Sequence, residues 1–489
     1  MLGKKILSIA AIITLTDLSA GSVLSGTSNT ATGSDAVVAG GLLNHASGYK
    51  STIAGGRQNT VPGNYATVGG GYINKADGYM ALIAGGRENS STGDYATVSG
   101  GFRNTSDGYM ALVSGGREHI AQGSYATVVG GFRNSSLGRS TIVVGGSNNS
   151  STGTNATIVG GEENNASGQL SFIGGGLLNT ADGNASTVSG GYLNEATDAI
   201  STVAGGEANI ASGAGAAIGG GRSNDASGRR ATIGGGFDNN VTGQYATVGG
   251  GFTNEATDEY ATVGGGYYNE ATDNYATVAG GSFNDATDDY ATVAGGRSNL
   301  SSGYSSFSVG NDNTASGDYS VAMGRRSQAT HEGSWVLSDS NFVSTQVSGA
   351  LNRFHGYFSN GYRLYTNSAG TLGVYVNGNG GAWNALSDKT KKENYTQVDK
   401  QEILNKLVAM PIEEWNYISQ DKEIRHIGPY AQDFNEAYGL GDGELSISTI
   451  DSDGVALVAI QALNEKLEKE KIKNKALEAR LLKLEQLLK

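Results

Sequence analysis

The Gly-Gly pair at Gly40-Gly41 recurs at Gly55-Gly56, Gly70-Gly71 and every fifteen residues to Gly295-Gly296, eighteen copies without an insertion or deletion. A strict period of this length marks a solenoid, because one short unit cannot bury its own apolar face and must stack on its neighbours. Two residues before each pair stands Val or Ile, from Val38 and Ile53 to Val278 and Val293. Two residues further back stands Ala, Ser or Thr, as in Ala66, Thr141 and Ser171. Three residues after the pair comes Asn in seventeen of the eighteen copies, for example Asn74, Asn104 and Asn254, with His119 the single departure. Four residues beyond that position stands Gly or Asp, as in Gly78 and Asp258.

The stretch Tyr65-Ala66-Thr67-Val68 alternates in period two, which turns Ala66 and Val68 to one face of a strand and Thr67 to the other. The Val/Ile column is then the dry interior. The Gly-Gly pair and the later Gly or Asp are expected where the backbone needs positive φ or close approach, and stacked Asn side chains are expected to bond from coil to coil. At about 4.8 Å per coil, eighteen coils make a rod of about 85 Å. One Val and one small residue per coil bury little apolar area, so burial against neighbouring subunits is expected as well. Thr fills the outward column in twelve of eighteen copies, but Val37, Leu82, Leu112, Ile142, Phe172 and Ala217 break it, which favours ordinary strand propensity over an ice-binding ladder. Tyr65, Tyr95, Tyr125, Tyr245, Tyr260, Tyr275 and Tyr290 form a column that reads either as cross-strand stacking or as a stripe for carbohydrate or protein.

Composition bounds the rest. The 489 residues include 78 Gly, 3 Pro and no Cys, which excludes collagen, disulfide scaffolds, thiolate metal sites and Cys nucleophiles. A net charge of −13 argues against nucleic acid or an anionic membrane as the main partner. Lys4 and Lys5 before the apolar run Ile6 to Leu15, with small residues to Ala20, read as an export signal over residues 1–20. No later stretch is apolar enough to span a membrane as a helix, and the charged C-terminal segment argues against an outer-membrane barrel. No cofactor motif, calcium nonapeptide or metal-ligating cluster is apparent.

Further on, Phe307-Ser308-Val309-Gly310 and Ser320-Val321-Ala322-Met323-Gly324 carry a shorter version of the unit. On these motifs and the fifteen-residue metre, the region from residue 23 to about 335 resembles the head repeats of trimeric bacterial adhesins of the YadA type. The resemblance implies a left-handed parallel β-roll, three copies of which pack about a threefold axis. The reading is thus a mainly β chain: a parallel β-solenoid over 21–335, a β-rich connector over 336–386 built on stretches such as Tyr362 to Tyr365 and Leu372 to Val376, and a small α+β domain from Ser387, where Gly thins out and charge rises.

The last hundred residues hold the chemistry. Ser387-Asp388-Lys389-Thr390-Lys391-Lys392-Glu393-Asn394 is followed by Met410 to Tyr417, by Arg425-His426-Ile427-Gly428-Pro429-Tyr430-Ala431-Gln432-Asp433-Phe434 and by Asp453 to Leu457. In this order these motifs resemble the intramolecular chaperone domain of phage endosialidase tail spikes, the S74 peptidase family. The resemblance implies a folding clamp for trimeric β-fibres that cuts itself off before the motif Ser, here at Leu386–Ser387. It also implies a dyad of Ser387 as nucleophile and Lys392 as base, chemistry open to Ser and Lys in general. Lys391 is the competing base, Asp388 reads as a cap or loop-orienting residue, and His426 as either an assistant or part of the Gly428 turn.

Ile460, Leu463, Leu467, Leu477, Leu481, Leu484 and Leu488 occupy seven of nine successive a/d positions, with Glu470 and Asn474 in the other two, so 456–489 reads as a coiled coil. The expected protein is a secreted or surface-displayed homotrimeric fibre, enzymatic at most as a single-turnover autoprotease. Its rod could contact a host glycan or matrix protein. The competing expectations are a fibre that never cuts and a phage-derived tail fibre.

Overall fold

The computed structural model describes residues 21–370, 373–441 and 443–488, and the expected export segment lies outside them. The chain divides into two compact units between Ser359 and Asn360.

The first unit is a parallel β-solenoid. Each coil contributes two two-residue strands, such as Thr52–Ile53 and Thr60–Val61, and a single bridging residue between them, such as Arg57. All three pair in register with the residues fifteen further on: Thr52 with Thr67, Ile53 with Val68, Thr60 with Lys75 and Arg57 with Tyr72. The ladders reach 23 strands on the first-strand side and 22 on the second. From Leu300 the offset tightens to fourteen, Leu300 pairing with Thr314 and Phe307 with Val321. The ladder runs on through Trp335–Ser338 to Phe354–Tyr357.

The expected interior is present and fuller than its sequence signal. The Val/Ile column and the small column before it are buried, as in Ala66 and Val68. A second inward column, missed in the sequence pattern because Ala, Val and Ser share it, lies on the second strands at Ala46, Val61, Ala76, Ser91 and their successors, and is equally buried. Polar members are bonded inside the coil; the Ser91 hydroxyl, for instance, donates to the Ala96 carbonyl at 2.9 Å. One chain by itself therefore closes the core that was expected to need neighbours.

The Asn column explains its own invariance. The Asn59 N–H donates to Asn44 Oδ1 (3.0 Å), while Asn59 Nδ2 donates to the carbonyls of Gly55 and of Gly71 in the next coil (both 3.1 Å), and Asn59 Oδ1 accepts from the Asn74 N–H (2.9 Å). Only a short side chain with a donor pair and an acceptor meets these demands; Asp lacks the donors and Gln is too long. At His119 the imidazole imitates Asn: Nδ1 accepts from the Asn134 N–H at 3.1 Å, and Nε2 is buried beside the Gly131 carbonyl without a well-formed hydrogen bond.

The glycines divide differently from the expectation. The second Gly of each pair has φ between +81° and +109°, and a Cβ on Gly71 would lie 2.1 Å from the Gly86 carbonyl oxygen. A Cβ on the first, Gly70, would meet nothing within 4 Å. The later Gly, such as Gly63, keeps an ordinary φ and serves close approach only, a Cβ there lying 2.3 Å from the Gly78 carbonyl oxygen. Left-handed φ falls instead on two non-Gly residues per coil, among them Gln58, Tyr65, Ile73 and Met80. The Tyr65 N–H donates to the Tyr49 carbonyl one coil back, which holds that conformation. The Tyr column stacks, with Tyr245, Tyr260, Tyr275 and Tyr290 nearly parallel at centroid distances of 4.9–5.0 Å. In the N-terminal coils Tyr49, Tyr79 and Tyr109 interleave edge-on with Tyr65, Tyr95 and Tyr125.

The second unit opens with an antiparallel sheet of Gly361–Tyr365, Gly373–Asn377 and Asn384–Ala385. Three helices follow: α1 (Lys400–Ala409), α2 (Ala431–Tyr438) and α3 (Thr449–Leu487). Asp399 caps α1 by accepting from the N–H groups of Gln401 and Glu402. The start of α3 packs on α1 and α2 through Leu404, Ala459 and Ala462 and through Met410, Phe434 and Val455. Beyond Ala462 the helix leaves this core, and the a/d residues Leu463, Leu467, Leu477, Leu481 and Leu484 are all about half exposed, from 49% at Leu477 to 60% at Leu481.

Candidate active site

The Leu386–Ser387 bond follows directly on the strand Asn384–Ala385, whose residues pair with Val374 and Tyr375. The Leu386 N–H donates to the Gly373 carbonyl at 3.1 Å, so the residue before the bond is tied to the sheet and half-buried. Ser387 itself is exposed. Asp388 then starts a 3-10 turn, Lys389–Lys391, by accepting from the Thr390 N–H at 2.8 Å. This turn reverses the chain and returns the Lys392 side chain to Ser387, with Nζ 2.6 Å from Oγ. Tyr395 buttresses the turn: its single hydroxyl proton is shared between the carbonyls of Lys389 (2.5 Å) and Lys392 (2.9 Å). Nothing in the spacing of the motif singled out Tyr395; the hydroxyl matters only once the turn has folded under it.

The other expected residues sit differently. The backbone N–H of Thr390, and then its hydroxyl, hold the Asp388 carboxyl below the usual carboxylate range, in keeping with a capping anion. Lys391 is exposed, and its backbone N–H donates to the Asp388 carbonyl at 3.1 Å. His426 belongs to a two-stranded sheet, Glu413–Trp415 against His426–Gly428, and its Nε2 donates to Gln420 Oε1 at 2.9 Å beside the Trp415 ring. The structure thus brings Ser387 and Lys392 together, puts Asp388 under the turn, and engages His426 with Gln420. Among the described residues no group of His, Asp or Glu is placed to hold a metal ion.

Comparison with known families agrees with both parts of the chain. Residues 387–440 match the S74 peptidase family, described as the chaperone of endosialidase. Residues 201–213, within one coil of the solenoid, match the ubiquitous surface protein adhesin repeat. No curated protein matches the chain. Among the described residues no helix is long and apolar enough to cross a membrane. The chain is therefore a parallel β-solenoid, one coil of which is similar to a surface-adhesin repeat, that carries, towards its C-terminus, a segment similar to the chaperone of endosialidase.

Proposed function

We propose that three copies form a secreted or surface-displayed fibre, that the C-terminal unit is the clamp that gathers them, and that the clamp then severs itself at Leu386–Ser387. The observation that carries this reading is the 2.6 Å contact between Lys392 Nζ and Ser387 Oγ, immediately after a strand-anchored Leu386. Lys392, in its neutral form, takes the Ser387 hydroxyl proton as Oγ attacks the Leu386 carbonyl carbon. The new C–O ester bond replaces the C–N bond, and the leaving Ser387 amine takes up the proton. Water then hydrolyses the ester to the Leu386 carboxylate and the free hydroxyl. A lysine acts as a base when water is stripped from it. In the single chain both groups are exposed, so assembly supplies the cover and cutting follows trimerisation.

Two surfaces support the threefold arrangement. The half-exposed leucines of α3 form the seam of a coiled coil. On the rod, the outward residues of the first-strand sheet, the columns of Thr52 and Ala54, contain no Asp, Glu, Lys or Arg from Val37 to Ala294. Leu82, Val129, Ile142, Val144, Val159 and Phe172 lie exposed on it. Parallel copies can share such a face in register. Mass spectrometry of purified Ser387→Ala and Lys392→Gln proteins tests the cut: both stay full length while Lys391→Ala still yields a new N-terminus at Ser387. A fragment ending at Leu386 from Ser387→Ala would show that the nucleophile is misassigned, and an uncut wild-type trimer would leave a purely structural fibre.

A further inference from the structure

Charge is segregated along the rod. Residues 50–139 carry eight Lys and Arg against five Asp and Glu, a net +3, whereas residues 231–296 carry nine Asp and Glu and no Lys or Arg, a net −9. The solenoid turns these counts into surfaces. Arg57, Tyr72, Arg87, Phe102, Arg117 and Phe132 succeed one another on the bridging column, Arg87 lying 5.3 Å from the Phe102 ring and Arg117 5.3 Å from the Phe132 ring. In the acidic segment Glu255, Glu270 and Asp285 are in direct register on the adjacent second-strand face. Burial, and after it the neighbouring Glu270, push the carboxyls of Glu255 and Asp285 above the usual range.

The two segments are centred near residues 95 and 264, about eleven coils or roughly 50 Å apart. That is several Debye lengths at physiological salt, so neither segment neutralises the other within one rod. Their centres lie almost symmetrically about the middle of a ladder that runs from Ser22 to Tyr357. We infer that the rod is built to dock side by side on a second rod of the same chain running antiparallel, the Arg–aromatic segment of each against the acidic segment of the other. A full-length antiparallel overlap satisfies both contacts at once. Through these charged faces, as distinct from the uncharged first-strand face proposed for parallel copies, a parallel overlap in register sets acid on acid, and a staggered one makes only one of the two contacts. The occupant is a second copy rather than a soluble polyanion because the arginines are already half spent. Arg87 and Arg103 close on Glu88 at 2.9 and 2.6 Å, and Arg117 and Arg133 on Glu118 at 3.0 and 2.7 Å. A stripe so moderated fits an extended carboxylate surface of matching length, and this chain carries one. The inference goes beyond trimerisation and cleavage and holds whether or not the chain cuts itself.

Sedimentation and electron microscopy of the full chain test it. Flush lateral pairs of rods should form at low salt, roughly 20 mM, and disperse at roughly 0.5 M. The variant Arg57→Glu/Arg87→Glu/Arg117→Glu and the variant Glu255→Lys/Glu270→Lys/Asp285→Lys should each lose pairing at least tenfold. Mixing the two, or combining all six changes in one chain, should restore it. Circular dichroism melting identifies a variant that has failed to fold, in which case the wild-type salt series decides. Pairing indifferent to salt, failure of the six-fold variant to recover, or staggered rods would overturn the inference. So would arginine variants that lose binding to a sulfated polysaccharide yet pair normally.

Discussion

The solenoid and the C-terminal helix bury their apolar residues in opposite ways. In the rod, the Val/Ile column that stands two residues before each Gly pair, from Val38 to Val293, is fully covered by its own chain. In α3, Leu467, Leu477, Leu481 and Leu484 stand half exposed along a helix that has left its core. The difference lies in geometry: a coil has a neighbour of the same chain about 4.8 Å above and below it, whereas a single helix has no second surface to lay its stripe on. The interior of the rod is thus closed by one chain, whereas the leucine stripe of α3 is left uncovered by its own.

The sharpest way to break this contrast is to charge the seam. Leu477→Lys/Leu481→Lys should abolish assembly, read by sedimentation, while isolated chains keep their β-rich circular dichroism; collapse of the β signal would show that the rod depends on the seam after all. Next comes the Gly pair. Gly71→Ala puts a Cβ 2.1 Å from a carbonyl oxygen at φ +95° and should cost about 3 kcal/mol or more, whereas Gly70→Ala should stay within about 1 kcal/mol. Hydrogen exchange of the adjoining coils reads this local loss better than a global melt, because each coil touches only its neighbours.

His119 offers a smaller test with a sign. Burial of the ring lowers its pKa from the ordinary 6.5, and Nδ1 of the neutral ring accepts from the Asn134 N–H. A lowered folded value means that its contribution is intact above about pH 6.5 and is lost as pH falls through the folded value. His119→Asn should therefore remove an acid-sensitive step from the exchange profile of coils 104–134 and add about 1 kcal/mol at neutral pH. The smallest effect concerns Ile200, 69% exposed and held at φ +61°. Ile200→Gly should stabilise its coil by up to about 1 kcal/mol, an unusual gain from deleting a side chain, visible as slower local exchange.

Much of this was written in the residues. A metre of fifteen with Val, Asn and Gly at set places leaves a stacked coil as the only way to bury the Val column, so the solenoid and its axial register follow from periodicity alone. For the site, the resemblance carried by Ser387 to Asn394 named Ser387 and Lys392, with Lys391 as the competing base, and the fold places Lys392 Nζ 2.6 Å from Ser387 Oγ. What the period could not reveal was the second inward column at Ala46, Val61 and Ser91, because small apolar and small polar residues fit that space equally and leave no hydropathy contrast. Nor could it place the strained φ on Ile73 and Ile200. Those residues are not chosen for left-handed backbone; they are held there because their N–H groups donate to carbonyls of the coil before, Ile73 to Arg57 and Ile200 to Asn184. The Tyr395 buttress is of the same kind. Sequence by itself determined which residues repeat and therefore what stacks on what. Only the tertiary structure decided which faces that stacking completes, because closure of an interior depends on distances across a coil that no one-dimensional pattern contains.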